Sequence, residues 1–109
     1  MHPTKWLGTV GVVGSGQIGP DIALHFAKAL VDQSSRVIVQ DIDASALERG
    51  REKIERKLDM GVKSGAFRQA AVDKMLASLH FTEDVTELAG ADLVIEAATE
   101  EVGIKHQIM

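Results

Sequence analysis

Short runs of β-branched and aliphatic residues alternate along this chain with longer segments whose apolar positions recur every three or four residues. The short runs predict strands at residues 7–13, Arg36–Gln40, 80–82 and Leu93–Glu96. The longer segments predict helices at residues 18–31, Ala44–Lys63 and 68–79, and another from residue 100 to the end. Strands that alternate with helices predict a parallel sheet with right-handed crossovers. The expected strand order is 3-2-1-4, the first half of a doubly wound α/β fold.

Two of the predicted helices follow one another without a strand between them. The helix at Ala44–Lys63 and the helix at residues 68–79 are separated by Ser64 and Gly65, which interrupt the apolar period. They are therefore expected to form a helical hairpin inserted between the second and third strands. The predicted stripe on the first hairpin helix consists of Leu47, Ile54, Leu58 and Val62. The predicted stripe on the helix after the first strand consists of Ile18, Ile22, His25, Phe26 and Ala29.

Composition narrows the class of protein. The chain has 109 residues, enough for one domain, and a formal net charge of −4 from 12 basic and 16 acidic side chains. Mild acidity argues against nucleic acid as the main partner, because no basic stripe is available to neutralise phosphates. The absence of cysteine excludes thiol catalysis and cysteine metal sites. No apolar run approaches the ~20 residues of a membrane span. We expect no metal site and a cytoplasmic location.

A glycine-rich turn follows the first predicted strand and opens the first predicted helix. Gly14 would permit the sharp turn, Gly16 would let backbone approach a diphosphate, and Gly19 would let the helix pack closely on the strand. Backbone N–H groups and the positive end of the helix dipole would then face the diphosphate. The turn thus predicts a dinucleotide site whose residues are Gly14, Ser15, Gly16, Gln17, Ile18 and Gly19.

An acid closes the second predicted strand. Asp41 lies 22 residues after Gly19, near the separation at which a carboxylate receives the adenine ribose hydroxyls. A 2′-phosphate at that place would meet like charge, worth up to about 4 kcal/mol at ~4 Å and an effective dielectric of ~20. The next residues, Ile42 and Asp43, offer no arginine to offset it. The prediction is NAD over NADP; the alternative is that Asp41 merely caps the following helix.

Three features together resemble one enzyme family. They are the helical hairpin, the run Asp41-Ile42-Asp43-Ala44-Ser45-Ala46-Leu47-Glu48-Arg49-Gly50, and the run Ala91-Asp92-Leu93-Val94-Ile95-Glu96-Ala97-Ala98-Thr99-Glu100 with Lys105 five residues later. From about residue 7 to the end, the chain resembles the N-terminal NAD-binding Rossmann domain of the L-3-hydroxyacyl-CoA dehydrogenase family. The resemblance implies NAD as cofactor, with Glu100 and Lys105 beside its nicotinamide half and Ala97 also in contact. The alternatives are an acid at a helix start for Glu100 and a solvated Lys105.

The same resemblance implies a reaction. The full-length enzyme would interconvert L-3-hydroxyacyl-CoA and 3-oxoacyl-CoA, take an acyl-CoA substrate and form a homodimer. Lys57 and Lys63 are the basic candidates for contact with the CoA phosphates. Asp21 departs from the family pattern and brings a negative charge near the diphosphate site.

The residues that perform this chemistry in the family, a His–Glu pair with a Ser and an Asn nearby, lie beyond the matching segment. His2, His25, His80 and His106 are poor substitutes, so no catalytic residue is expected in this chain. We therefore expect residues 1–109 to be the first part of a longer enzyme, without its C-terminal helical domain. Two alternatives stay open, namely another Rossmann dehydrogenase such as one similar to L-gulonate 3-dehydrogenase, and a non-catalytic NAD-binding module.

Overall fold

A five-stranded sheet forms the centre of the molecule. The computed structural model describes residues 8–16, 18–31 and 35–97, and the backbone of residues 103–106. The strand order is β3-β2-β1-β4-β5, and β1 pairs in parallel with both β2 and β4. The predicted order 3-2-1-4 is thus confirmed. The strands are β1 (Thr9–Val13), β2 (Arg36–Gln40), β3 (Leu79–Thr82), β4 (Leu93–Glu96) and β5 (Gly103–His106).

Helices connect the parallel strands. They are α1 (Gly19–Ala29) between β1 and β2, then α2 (Ala44–Lys63) and α3 (Gln69–Ser78) between β2 and β3. A 3₁₀ helix (Val85–Leu88) precedes β4. The helical hairpin predicted between the second and third strands is therefore present. The bounds of β2, α2 and β4 are those that the sequence predicts.

The core lies between β1, β2 and the helices. Val10, Val12, Val37 and Val39 are fully buried, as expected for parallel strands covered on both faces. On α2, the predicted stripe is confirmed, since Leu47, Ile54 and Leu58 are buried and Val62 is packed against the core. Asp43 caps this helix by accepting the Ser45 N–H at 2.9 Å.

The buried face of α1 differs from the predicted stripe. Ala23, Leu24 and Ala27 are its buried interior positions, whereas His25 and Ala29 are exposed. Ile18, Ile22 and Phe26 are partly buried at the edge of the core. Ala23 and Ala27 allow the helix to approach the sheet and are buried there beside Leu24, so a stripe centred on the bulkier Ile22 and Phe26 misses this face.

The segment after β4 corrects another prediction. A helix was expected from residue 100, but Gly103–His106 is a strand that pairs antiparallel with β4. Residues 98–102 and 107–109 lie outside the described residues. Two physical reasons favour the strand. Glycine costs a helix interior about 1 kcal/mol relative to alanine, and the edge of β4 offers unpaired backbone groups that a further strand satisfies.

Candidate functional site

The turn after β1 is built by two glycines in close contact. Gly14 has φ 103°, a conformation that side-chain-bearing residues rarely adopt, and its N–H donates to the carbonyl of Gln40 at 2.7 Å. A Cβ on Gly19 would lie 1.9 Å from the carbonyl oxygen of Gly14. The start of α1 is therefore seated directly on the turn, as the sequence predicted for these two positions.

The outer side of this turn is open. Gly16 is exposed, and a Cβ built on it would meet no atom within 4 Å. Ile18, the N-cap residue of α1, makes no side-chain capping hydrogen bond, and Pro20 follows in the first turn. The N–H groups at this helix end and the dipole thus face a space that an anion can enter. Gln17, also predicted to bind the cofactor, lies outside the described residues.

Asp41 lies beside this turn, just past the carboxyl end of β2. Its Oδ2 accepts the Ser15 N–H at 2.8 Å and its Oδ1 accepts the Asp43 N–H at 2.9 Å. The cap of α2 is Asp43, so the alternative in which Asp41 merely caps that helix is wrong. Asp41 instead joins the turn after β1 to the loop after β2, with its carboxylate held at both oxygens. We call this turn, residues 14–19, the phosphate turn after the role that the sequence predicts for it.

Ser15 turns its side chain away from the open side. It is 1% exposed, and its Oγ donates to the Ala46 carbonyl at 2.9 Å. The sequence predicted that Ser15 belongs to the cofactor loop. Within that loop, its backbone contacts Asp41 and its hydroxyl contacts α2.

The negative charge of Asp21 is neutralised within the domain. Lys57 Nζ lies 2.5 Å from Asp21 Oδ1, and Lys53 Nζ lies 3.3 Å from Oδ2. The hydrogen bond from Lys57 in particular holds the pKa of the Asp21 carboxyl below its ordinary value. Lys63, the other basic candidate for CoA contact, pairs with Asp59 at 3.1 Å. Both candidate lysines thus have acidic partners within this domain.

The other predicted cofactor residues follow β4. Ala97 is buried, and its N–H donates to the Val13 carbonyl at 2.7 Å, which brings it beside the start of the phosphate turn. Ala97 thus lies at the carboxyl ends of β1 and β4, which are neighbours in the sheet but not consecutive in the chain, and open parallel sheets bind ligands at such a place. Lys105 lies in β5 with its backbone opposite Val94, not in a helix as expected, and its side chain is outside the described residues. Glu100 also lies outside them.

No histidine whose side chain the structure describes lies within this turn, although His25 lines a cavity with Ile18, the N-cap residue of α1. His25 is exposed on α1, and His80 lies on β3, two strands away from β1. The His80 Nε2 atom lies 2.7 Å from Glu87 Oε1, a pair that the sequence did not reveal. Within the described ranges, no group of three or more metal-ligating side chains converges. None of the helices described there is long and apolar enough to cross a bilayer.

Comparison with known proteins agrees with this geometry. Residues 9–109 match the family model described as 3-hydroxyacyl-CoA dehydrogenase, NAD binding domain. The chain belongs to this family. The resemblance predicted from the sequence and the assignment of NAD as cofactor are both confirmed.

Individual relatives support the assignment. A 3-hydroxybutyryl-CoA dehydrogenase of Mycobacterium tuberculosis is 36% identical over 99 residues, which is 91% of this chain and 33% of that protein. A 3-hydroxyadipyl-CoA dehydrogenase of Escherichia coli is 36% identical over 100 residues, 92% of this chain and 20% of that protein. The chain thus spans about a third of the length of the first relative and a fifth of the second.

A solved structure shares the fold. The (S)-3-hydroxybutyryl-CoA dehydrogenase from Ralstonia eutropha superimposes with a TM-score of 0.78 at 33% identity, over 87% of this chain and 32% of that one. The Rossmann-type fold predicted for the 3-hydroxyacyl-CoA dehydrogenase domain is confirmed by this similarity.

Proposed function

We propose that the turn from Gly14 to Gly19 holds the diphosphate of NAD and that Asp41 receives its adenine ribose. The open space at Gly16 and the uncapped start of α1 suit a diphosphate. The nicotinamide half would extend past Ala97, at the carboxyl ends of the neighbouring strands β1 and β4, toward Glu100, which follows three residues later in the sequence. Lys105, whose backbone pairs with Val94 nearer the amino end of β4, is not assigned to this site.

The arrangement of the Asp41 carboxylate carries this proposal. Each of its oxygens accepts one backbone N–H, from Ser15 or from Asp43. An ionised carboxylate has about four acceptor positions, so each oxygen retains one. Two adjacent ribose hydroxyls match two such positions. A 2′-phosphate would instead bring like charge against the carboxylate, which favours NAD over NADP.

We propose further that the protein to which this domain belongs interconverts L-3-hydroxyacyl-CoA and 3-oxoacyl-CoA. Bound NAD would supply the hydride acceptor or donor for that reaction. This chain would bind and orient the cofactor, with the acid–base residues supplied from outside residues 1–109. Support comes from the family match and from the relatives, which are named as dehydrogenases of acyl-CoA compounds. A homodimer and a cytoplasmic location, both expected from the sequence, remain predictions.

Binding of the two reduced cofactors tests the site. Calorimetric titration of the parent chain should show tighter binding of NADH than of NADPH. Asp41→Ala should weaken NADH binding tenfold or more, since hydrogen bonds to a charged group contribute about 1.5–3 kcal/mol each. NADPH binding should not weaken. Asp43→Ala is the matched control, because it removes a neighbouring carboxylate and keeps the backbone N–H that Asp41 accepts. Equal losses in the two variants would contradict the ribose assignment.

An activity assay tests the reaction. The protein expressed from its own gene, with whatever residues accompany this chain, is mixed with NADH and acetoacetyl-CoA, and the loss of NADH absorbance is followed. Oxidation that depends on acetoacetyl-CoA supports the proposal. Activity with L-gulonate and NAD instead would favour the sugar-acid alternative. NADH binding without either reaction would favour a non-catalytic module.

A further inference from the structure

The side of the phosphate turn that faces α2 has an arrangement that cofactor binding alone does not require. Ser15 is almost fully buried there, and its Oγ donates to the carbonyl of Ala46 at 2.9 Å. Ala46 lies in the first turn of α2, where its carbonyl also accepts the ordinary helical bond from four residues later. Since a carbonyl oxygen has two lone pairs, it can hold both bonds. The Ser15 hydroxyl is therefore tied to the backbone of α2.

This contact depends on Gly50. A Cβ at Gly50 would lie 2.2 Å from Ser15 Oγ and 3.0 Å from Pro20 Cγ. Ala46 and Gly50 are four residues apart, so they lie on one face of α2. Two small residues on that face let the turn approach the helix backbone. We call the contact formed by Ser15, Ala46 and Gly50 the Ser15 seat.

The Ser15 seat bears directly on the carboxylate of Asp41. One carboxylate oxygen is held by the N–H of Ser15 in the turn, and the other by the N–H of Asp43, which caps α2. The two oxygens are thus attached to two different segments. The seat fixes how far apart those segments lie, and so fixes the rotation of the carboxylate between them.

We propose that the Ser15 seat is a positioning device that orients the Asp41 carboxylate and so sets the preference for NADH over NADPH. The inference rests on the proposed ribose role of Asp41. Hydrogen bonds to the ribose hydroxyls depend strongly on angle, whereas repulsion of a 2′-phosphate depends mainly on distance. A rotated carboxylate therefore loses affinity for NADH and keeps its rejection of NADPH.

The ratio of the two dissociation constants separates this role from a loss of stability. A variant that is merely less folded binds NADH and NADPH more weakly by the same factor, because both apparent dissociation constants are divided by the fraction of protein that is folded and able to bind. A variant with a misoriented carboxylate binds NADH more weakly and leaves the NADPH dissociation constant unchanged. We expect Ser15→Ala to raise the NADH Kd about fivefold to tenfold, the loss of about one hydrogen bond, and to lower the preference by the same factor.

Gly50→Ala approaches the same contact from the helix side. Its Cβ would push against Ser15 Oγ, so the preference for NADH should fall here too. In the double variant Ser15→Ala/Gly50→Ala the Oγ is gone, and the nearest remaining atom is Pro20 Cγ at 3.0 Å. The double variant should therefore change the ratio of the NADPH and NADH dissociation constants by less than the product of the two single changes, as expected for residues in direct contact.

Matched controls exist for both substitutions. Ser78→Ala also removes a hydroxyl that donates to a helix carbonyl, that of Met75 at 2.7 Å. Gly61→Ala also adds a Cβ to α2 with a contact of 2.2 Å, here against the ring of Phe67. Neither residue contacts Asp41. Both variants should lower Tm without changing the ratio of the NADPH and NADH dissociation constants.

The experiment titrates the parent chain and each variant with NADH and with NADPH, after circular dichroism has established folding. An unchanged ratio in Ser15→Ala, or the same ratio change in Gly61→Ala as in Gly50→Ala, would overturn the proposal. Gly50→Ala, which keeps the Ser15 hydroxyl, serves if Ser15→Ala does not fold, and an unchanged ratio there would overturn the proposal in the same way. If Asp41→Ala leaves the parent's preference intact, the ribose assignment itself fails. If Asp41→Ala abolishes the preference and Ser15→Ala does not change it, the seat proposal alone fails.

Discussion

Alanine substitutions at two glycines of the phosphate turn should have opposite consequences for stability and binding. A Cβ at Gly19 would lie 1.9 Å from the Gly14 carbonyl oxygen and 3.0 Å from its carbonyl carbon, both backbone atoms that cannot rotate away. A Cβ at Gly16 would meet nothing within 4 Å. Among the described glycines, Gly14 and Gly65 have positive φ, so Gly16→Ala introduces no left-handed strain.

The expected magnitudes follow from these distances. Gly19→Ala forces the turn and α1 apart, and overpacking of this kind costs about 1–3 kcal/mol. For a domain of this size, each kcal/mol lowers Tm by roughly 4–8 °C. Gly16→Ala should leave Tm unchanged or raise it, because a tolerated alanine restricts the unfolded chain by about 0.4–1 kcal/mol. Its methyl group occupies the space assigned to the diphosphate, so the NADH Kd should rise tenfold or more, about 1.4 kcal/mol.

Thermal melting followed by circular dichroism, with calorimetric titration of NADH, measures both effects. Gly90→Ala is the control for Gly16→Ala. Its Cβ also meets nothing within 4 Å. Gly90 precedes β4 and so lies at the amino ends of the parallel strands, whereas the phosphate turn lies at their carboxyl ends. Gly90→Ala should change neither Tm nor NADH binding by much. Parent-like NADH binding in Gly16→Ala would refute the assignment of the diphosphate, and parent-like melting of Gly19→Ala would refute the close contact at the turn.

Three further outcomes are expected. Asp21→Asn should lower the free energy of unfolding at neutral pH by at most about 1 kcal/mol, since the ion pairs with Lys53 and Lys57 are half-exposed. Because the folded-state pKa of Asp21 is lowered, this loss should shrink as the pH falls below about 4. A difference in Tm between parent and variant that persisted in acid would contradict this reasoning. The pKa of Glu87 is lowered mainly by the hydrogen bond from the Thr82 hydroxyl, and to a smaller extent by the one to His80. Thr82→Val should therefore raise the pKa of Glu87 in an NMR titration, and an unchanged pKa would count against the hydrogen bond from Thr82. Gly65→Ala should lower the free energy of unfolding in chemical denaturation by about 1–2 kcal/mol, because Gly65 has a φ of 84°. Gly90→Ala is again the control, and an equal loss in both variants would contradict the prediction.

Much of the fold could be predicted because local patterns and the global architecture agree. The α2 helix has a capping acid before Ala44, one apolar stripe and a break at Ser64 and Gly65, so its bounds follow from the sequence. The central strands β1 and β2 are short valine-rich runs, and the right-handed helical connections restrict the order of the parallel strands. The turn at Gly14 and Gly19 and the position of Asp41 beside it could be predicted because glycine spacing and a strand-ending acid are sequence-local signals.

Other features depend on contacts that the sequence does not display. The buried face of α1 combines the small residues Ala23 and Ala27 with Leu24, since the sheet lies close to the helix, and a stripe centred on Ile22 and Phe26 misses it. The β5 strand arises from the unpaired edge of β4, which is a property of the sheet and not of residues 103–106 alone. The Ser15 seat joins positions 31 residues apart, and the sequence analysis did not predict this contact.

A crystal structure of the chain bound to NAD would show where each part of the cofactor lies. We expect the diphosphate over the turn at Gly14, Gly16 and Gly19, and both adenine ribose hydroxyls within hydrogen-bond distance of the Asp41 carboxylate. We also expect Ser15 to keep its contacts to Asp41 and Ala46 in the complex. A cofactor bound away from the turn, or an adenine ribose that does not contact Asp41, would contradict the proposed binding site.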